Sequence, residues 1–229
     1  MTSIMAKMKS EGKCLYCQET KPKSSISRHL EKHLTGLEPE PGKTAWHIRA
    51  EAGYYFLHLL MDGQSTLNKL DDFLRKIWLE CCGHMSEFSI GGAWSGGKVG
   101  KNRKASDVFQ AGMKLNYVYD FGSSTELDIK VVNQHPISVK DKILLLSRNE
   151  PLEIICSICK KKAATQICIV HRWETEDCVF CDDCVGQHEA TCKDAADYAL
   201  MPIVNSPRMG ECGYEGGTID LERDGVFGE

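Results

Sequence analysis

The chain has 229 residues, 42% hydrophobic and 26% charged, with a net charge of −4, the profile of an ordinary water-soluble protein with one sizeable domain and small appendages. Lysines crowd the first thirty or so residues and acids the stretch after Met209, yet neither end is extreme enough to name a partner. Twelve cysteines lie in a chain with no membrane-length apolar run, whose first residues MTSIMAKMKSEGK lack the apolar core of a secretion signal; cytoplasmic, metal-binding thiols are expected rather than a secreted disulfide framework.

Residues 1–36 carry Cys14 and Cys17, then His29 and His33, the spacing of a two-Cys two-His zinc finger. The histidines stand four apart on one face of an expected helix, and Ile26 takes the small-core position. So short a segment needs its ion to fold. Counting back from His29, the base-reading positions of such a finger fall by resemblance on Arg28, Ser25 and Pro22, of which Arg28 is the strong base reader. One finger covers about three base pairs, too few for tight sequence-specific binding alone. Residues 37–43 read as a linker: TGLEPEPG resembles the linker that follows DNA-binding fingers, and its prolines and glycine mark a boundary near residue 43.

Residues 44–150 predict an α+β domain, a mostly antiparallel sheet with one principal helix across it. TAWHIRA alternates as a half-buried strand, and YYFLHLLM is a continuous apolar run suited to a more buried one. A helix follows from an N-cap at Ser65 to a stop at Gly83, its stripe formed by Leu67, Leu70, Leu74, Ile77, Trp78 and Cys81. MSEFSI, the hairpin KLNYVYDFG and TELDIKVV, and KILLLS complete the sheet. Cys81, Cys82 and His84 sit together at the helix end, with His47 and His58 on neighbouring strands as candidate partners. The plainer reading of that CCGH is buried thiols and a capping histidine. The glycine-rich stretch GGAWSGGKVGKNRK offers Lys98, Lys101, Arg103 and Lys104 as anion or nucleic-acid contacts on a surface loop. It lacks the GK[ST] ending of a phosphate loop.

The run STLNKLDDFLRKIWLECCGHMSEF followed by YVYDFG resembles the plasmid pRiA4b ORF-3-like family over residues 44–147. That family includes passenger proteins of insertion elements, so the resemblance implies this fold and an association with mobile elements. Its hairpin commonly continues into an acid, a tryptophan and a histidine. Here those positions hold Ser123, Thr125 and Leu127.

Residues 151–195 contain four close pairs: Cys156 and Cys159, Cys168 and His171, Cys181 and Cys184, His188 and Cys192. The gap between the first and third suits a four-cysteine zinc site, leaving Cys168, His171, His188 and Cys192 for a second ion. Alternate pairing of this kind resembles the cross-braced B-box and ZZ modules. Cys178 also makes a CxxC with Cys181 and is an alternative to Cys168. Residues 196–229 read as a turn-rich tail lying against this module, with a disordered acidic end.

Three four-coordinate zinc ions are thus expected, and no nucleophile, base and acid appear at a recognisable spacing. Since a catalytic zinc keeps a vertex open, the sequence points to a non-catalytic recognition protein associated with DNA or RNA. The alternatives are a protein–protein adaptor that docks through its zinc modules and, least favoured, a metal-dependent enzyme. No membrane contact is expected.

Overall fold

The computed structural model describes residues 8–175 and 177–219; the acidic stretch 220–229 expected to be disordered lies outside them. In chain order the first half holds β1 (Glu11–Cys14), β2 (Thr20–Pro22), α1 (Lys23–Thr35), β3 (Ala45–Ala52), β4 (Tyr55–Asp62), α2 (Leu67–Leu74), β5 (Ser86–Ile90), β6 (Gly97–Val99) and α3 (Ala105–Val108). The second half holds β7 (Lys114–Tyr119), β8 (Thr125–His135), β9 (Ile143–Asn149), β10 (Gln166–Cys168), β11 (Val179–Phe180), α4 (Val185–Glu189) and β12 (Leu200–Pro202). Nine strands form one antiparallel sheet in the order β2-β1-β9-β4-β3-β8-β7-β5-β6, and β11-β10-β12 form a small second sheet. The protein is α+β.

Side chains on a strand alternate between the two faces, and here each face has its own helix. Trp46, Ile48 and Ala50 of β3 join Tyr55, Leu57, Leu59 and Met61 of β4 in a core closed by Leu67, Leu70 and Leu74 of α2. The intervening residues Ala45, Phe56 and Leu60 pack on the other side against Ile26, Leu30 and Leu34 of α1. The unbroken apolar run in β4 follows from this: both faces are covered. The finger segment is therefore continuous with the sheet, for β1 pairs with β9 through Gly12 opposite Asn149 and Cys14 opposite Ser147. Only glycine fits at position 12, where a Cβ would stand 2.5 Å from the Phe56 ring.

Helix α2 starts one residue later than the sequence suggests and ends earlier. Ser65 turns its hydroxyl to Asp62 Oδ2, 3.2 Å away, and Thr66 takes the cap position. After a π-helical turn over Arg75–Leu79 the chain leaves the helix at Glu80. The Glu80 carboxylate accepts from Arg75 Nε (2.6 Å) and from the Gly83 amide (2.6 Å), folding the CCGH segment back before Gly83 is reached. The glycine-rich stretch is more ordered than a surface loop: β6 pairs with β5, and its basic side chains are tied into the fold.

The tail lies against the small module, as β12 pairs with β10, and then runs on into the main domain. Ser206 Oγ donates to Trp78 O (2.6 Å), and Arg208, with no exposed surface, sits under the β7–β8 hairpin.

Candidate metal centres

The Cys14, Cys17, His29 and His33 set is built by a tight turn followed by α1. The Gln18 amide donates to Cys14 O (2.7 Å) and Gln18 takes a positive φ of 64°, a conformation that rolls the Cys14–Cys17 segment so that both sulfurs face the helix. One helical turn apart, His29 and His33 bring their Nε2 atoms to 3.3 Å, with Cys17 Sγ 3.2 Å from His29 Nε2. The same turn recurs in the C-terminal module: the Lys160 amide donates to Cys156 O (3.0 Å) and Lys160 has φ 53°. Its partner pair, Cys181 and Cys184, is set instead by the turn that leads into α4, where the Val185 amide donates to Cys181 O (3.0 Å).

Ligand atoms of Cys14, Cys17, His29 and His33 all lie within 4.8 Å of one another. The same holds for Cys156, Cys159, Cys181 and Cys184, and for Cys168, His171, His188 and Cys192. Each set could hold a metal ion. Tetrahedral bonds of about 2.3 Å to sulfur and about 2.0 Å to nitrogen put ligand atoms roughly 3.3 to 3.8 Å apart. Cys159 and Cys181 sulfurs stand 3.9 Å apart, and Cys168 Sγ stands 3.3 Å from His171 Nδ1. His188 Nε2 is buried and has no hydrogen-bond partner among the described residues. A buried ring nitrogen left bare in this way fits a cation in the set. All twelve cysteines are unpaired, and Cys178 is buried outside every set.

Charge favours a cation most clearly in the four-cysteine set. Burial pushes the Cys156 thiol up, but the backbone amides of Cys159, Cys181 and Ile158 outweigh it and bring its pKa down to about 6. Cys184 is pushed up to about 12, by burial and then by the neighbouring thiols. Thiolates so crowded resist forming together unless a positive charge sits among them.

The basic residues expected to touch nucleic acid divide into two groups. Arg28 is exposed on α1, with Lys32 one turn further along. The loop cations are engaged: Lys98 with Glu87 (2.6 Å), Lys101 with Asp71 (3.0 Å), Arg103 with Asp107 O (2.7 Å) and Lys104 with Gln64 Oε1 (2.8 Å).

Two further clusters were not fully legible in the sequence. His47 and His58 do not join Cys81 and Cys82: they turn to the α1 face, where His47 Nε2 and His58 Nδ1 share a 2.8 Å hydrogen bond. His47 Nδ1 bonds Glu31 of α1, which also meets His135 Nε2 (3.3 Å) and Asn133 Nδ2 (2.9 Å). Burial pushes the Glu31 carboxyl up, but its hydrogen bonds from His135, His47 and Asn133 prevail and hold it well below the usual carboxylate range. This hub fastens the finger helix to β3 and β8. The place left open beside Cys81, Cys82 and His84 is filled by Cys212 of the tail.

An antiparallel α+β sheet carrying closed sets of cysteine and histidine is thus the class that fold and site define. No family model and no curated protein matches the chain. Among solved structures it is similar to a protein of unknown function from Methanosarcina mazei Go1, with 15% identity over 46% of this chain and 67% of that one. The TM-score of 0.38 is too low to carry fold or function across. No helix of the described residues is long and apolar enough to cross a membrane.

Proposed function

We propose that the protein is a non-catalytic recognition protein, shaped by zinc and associated with nucleic acid. The observation that carries this reading is that each of the three sequence-predicted sets supplies four protein ligand atoms within 4.8 Å. A tetrahedral zinc ion there is satisfied without water, whereas a hydrolytic zinc keeps a vertex for it. Thiolates and imidazoles at these spacings suit zinc among the divalent metals. A reducing, cytoplasmic setting suits free thiols in such number.

Nucleic acid is the favoured partner because Arg28 and Lys32 stand exposed on the outer side of α1 while its inner side is anchored on the sheet. The loop cations, two of them ion-paired and two hydrogen-bonded to neutral oxygens, are secondary contacts. The likeness of residues 44–147 to a family that includes insertion-element proteins points the same way. Binding to mixed DNA and RNA should weaken steeply as salt rises. Arg28→Ala with Lys32→Ala should weaken it further, and should flatten the salt slope by about 0.9 for each DNA phosphate that these two side chains neutralise. Absent or salt-independent binding counts against this partner.

A second reading, a protein adaptor, is favoured by Trp173 (73% exposed) and Tyr198 (62% exposed) on the C-terminal module. Exposed aromatics of this size are common anchors in protein interfaces. Loss of a protein partner on Trp173→Ala, with nucleic acid ignored, would select it.

A further inference from the structure

We propose that Cys81, Cys82, His84 and Cys212 form a fourth metal site, of the three-thiolate, one-imidazole kind that takes zinc(II), and that its ion clasps the tail to the main domain. The four ligand atoms lie within 4.8 Å of one another. Cys82 Sγ is 2.9 Å from His84 Nε2, 3.7 Å from Cys212 Sγ and 3.8 Å from Cys81 Sγ, and His84 Nε2 is 3.3 Å from Cys212 Sγ. The sulfur spacings match the roughly 3.8 Å expected between thiolates on one tetrahedral zinc. They are far too long for a disulfide, whose sulfurs stand about 2.05 Å apart.

Two independent features of the backbone and the surroundings aim these ligands. Cys212 adopts a positive φ of 46°, a left-handed conformation that strains a non-glycine residue. It sits between Gly210 (φ 75°) and Gly213 (φ 66°), so the tail makes a left-handed bend whose outcome is to bring one sulfur to the cluster. That bend is gripped from both sides. Arg172 of the C-terminal module donates to Met209 O (3.2 Å) and Gly210 O (2.6 Å) and pairs with Glu211 (3.0 Å). Arg208 donates to Asp120 Oδ2 (2.7 Å) and reaches Cys81 Sγ at 3.5 Å.

The charges agree with a dication. Three thiolates require a dication among them, and the Arg208 guanidinium, which pairs with Asp120, also donates toward the Cys81 sulfur. Asp120 Oδ2 lies 3.4 Å from His84 Nε2, but it is held by Arg208 and is not one of the four converging ligands. Unlike the three other sets, this one gathers residues 128 and 130 positions apart. Its ion would join the helix end and the tail at one point, with Cys82 and Cys212 at the surface.

The test uses the full chain in reducing, zinc-buffered solution. Cys82 and Cys212 should react with iodoacetamide at least about tenfold more slowly than free thiols, and chelation should restore the rate. Native mass spectrometry should give four ions per chain, and Cys212→Ser and His84→Ala should each lose a single ion. Alkylation of Cys82 and Cys212 at the free-thiol rate in the zinc-loaded wild type would overturn the site, whether or not the variants fold. So would recovery of the two as a disulfide under these conditions, or an ion count unchanged in both variants. Because alkylation is read at these two cysteines, failure of any other set does not imitate failure here.

Discussion

Arg208, without exposed surface, donates to Asp120 Oδ2 at 2.7 Å while its guanidinium stands 4.9 Å above the Tyr119 ring. The same side chain reaches Ser123 O (2.5 Å) and Thr125 Oγ1 (3.1 Å), where the β7–β8 hairpin turns into its second strand. Breaking a buried pair leaves an uncompensated charge and costs about 3–5 kcal/mol. Arg208→Ala should therefore lower unfolding stability in urea by about 3 kcal/mol or more, and Arg208→Leu combined with Asp120→Leu should recover part of it.

Cys168 and Cys178 compete in sequence but not in space. Cys168 Sγ faces His171 Nδ1, and Cys178 offers its backbone carbonyl to the Cys168 amide (2.8 Å) while its thiol packs in the main core. Native mass spectrometry should find one ion fewer in Cys168→Ser and an unchanged number in Cys178→Ser.

Although a free finger needs its ion to fold, α1 has two other anchors here. Ile26, Leu30 and Leu34 are buried on the sheet, each contributing roughly 1.5–3 kcal/mol, and Glu31 is bonded by β3 and β8 side chains. In Cys17→Ser, amide hydrogen exchange should rise in β1 and β2 while α1 stays protected. Gly12→Val drives a side chain into Phe56 and Ser147, so it should open both the hairpin and α1.

Acid should loosen the same junction. Burial, then the neighbouring His47, holds His58 neutral with a pKa well below 6.5. The unfolded chain takes up a proton at His58 below about pH 6.5 that the folded chain refuses, so stability present at pH 7 falls as pH drops through that window. Glu31, its pKa lowered, keeps its contribution until far lower pH. Urea midpoints measured from pH 7 to pH 5.5 should fall less steeply in His58→Phe than in the wild type. His47, whose pKa burial also lowers, supplies part of the slope that remains.

What the sequence made legible was whatever is local. The TELDIKVV alternation gives β8, and the paired CxxC, CxxH and HxxxC spacings mark the same residues that the fold gathers, because a turn or a helix face fixes neighbours a few residues apart. Cys212 gave no such signal: its partners lie some 130 residues away, and only the left-handed bend of the tail brings it to them. Lys98 and Lys101 looked free for the same reason, since nothing in their neighbourhood announces Glu87 on strand β5 or Asp71 on helix α2. Nor could the apolar run of β4 reveal that its second cover would be the helix of the finger segment.

The pairing of β1 with β9 reaches beyond the finger itself. Left unshielded, the edge of β9 from Leu146 to Asn149 would be a template for a neighbouring molecule, and sheet proteins guard such rims. Here the guard is a short hairpin folded about Cys14 and Cys17. On the zinc reading proposed above, loss of that ion should show first as self-association along the rim, while the rest of the sheet is still intact.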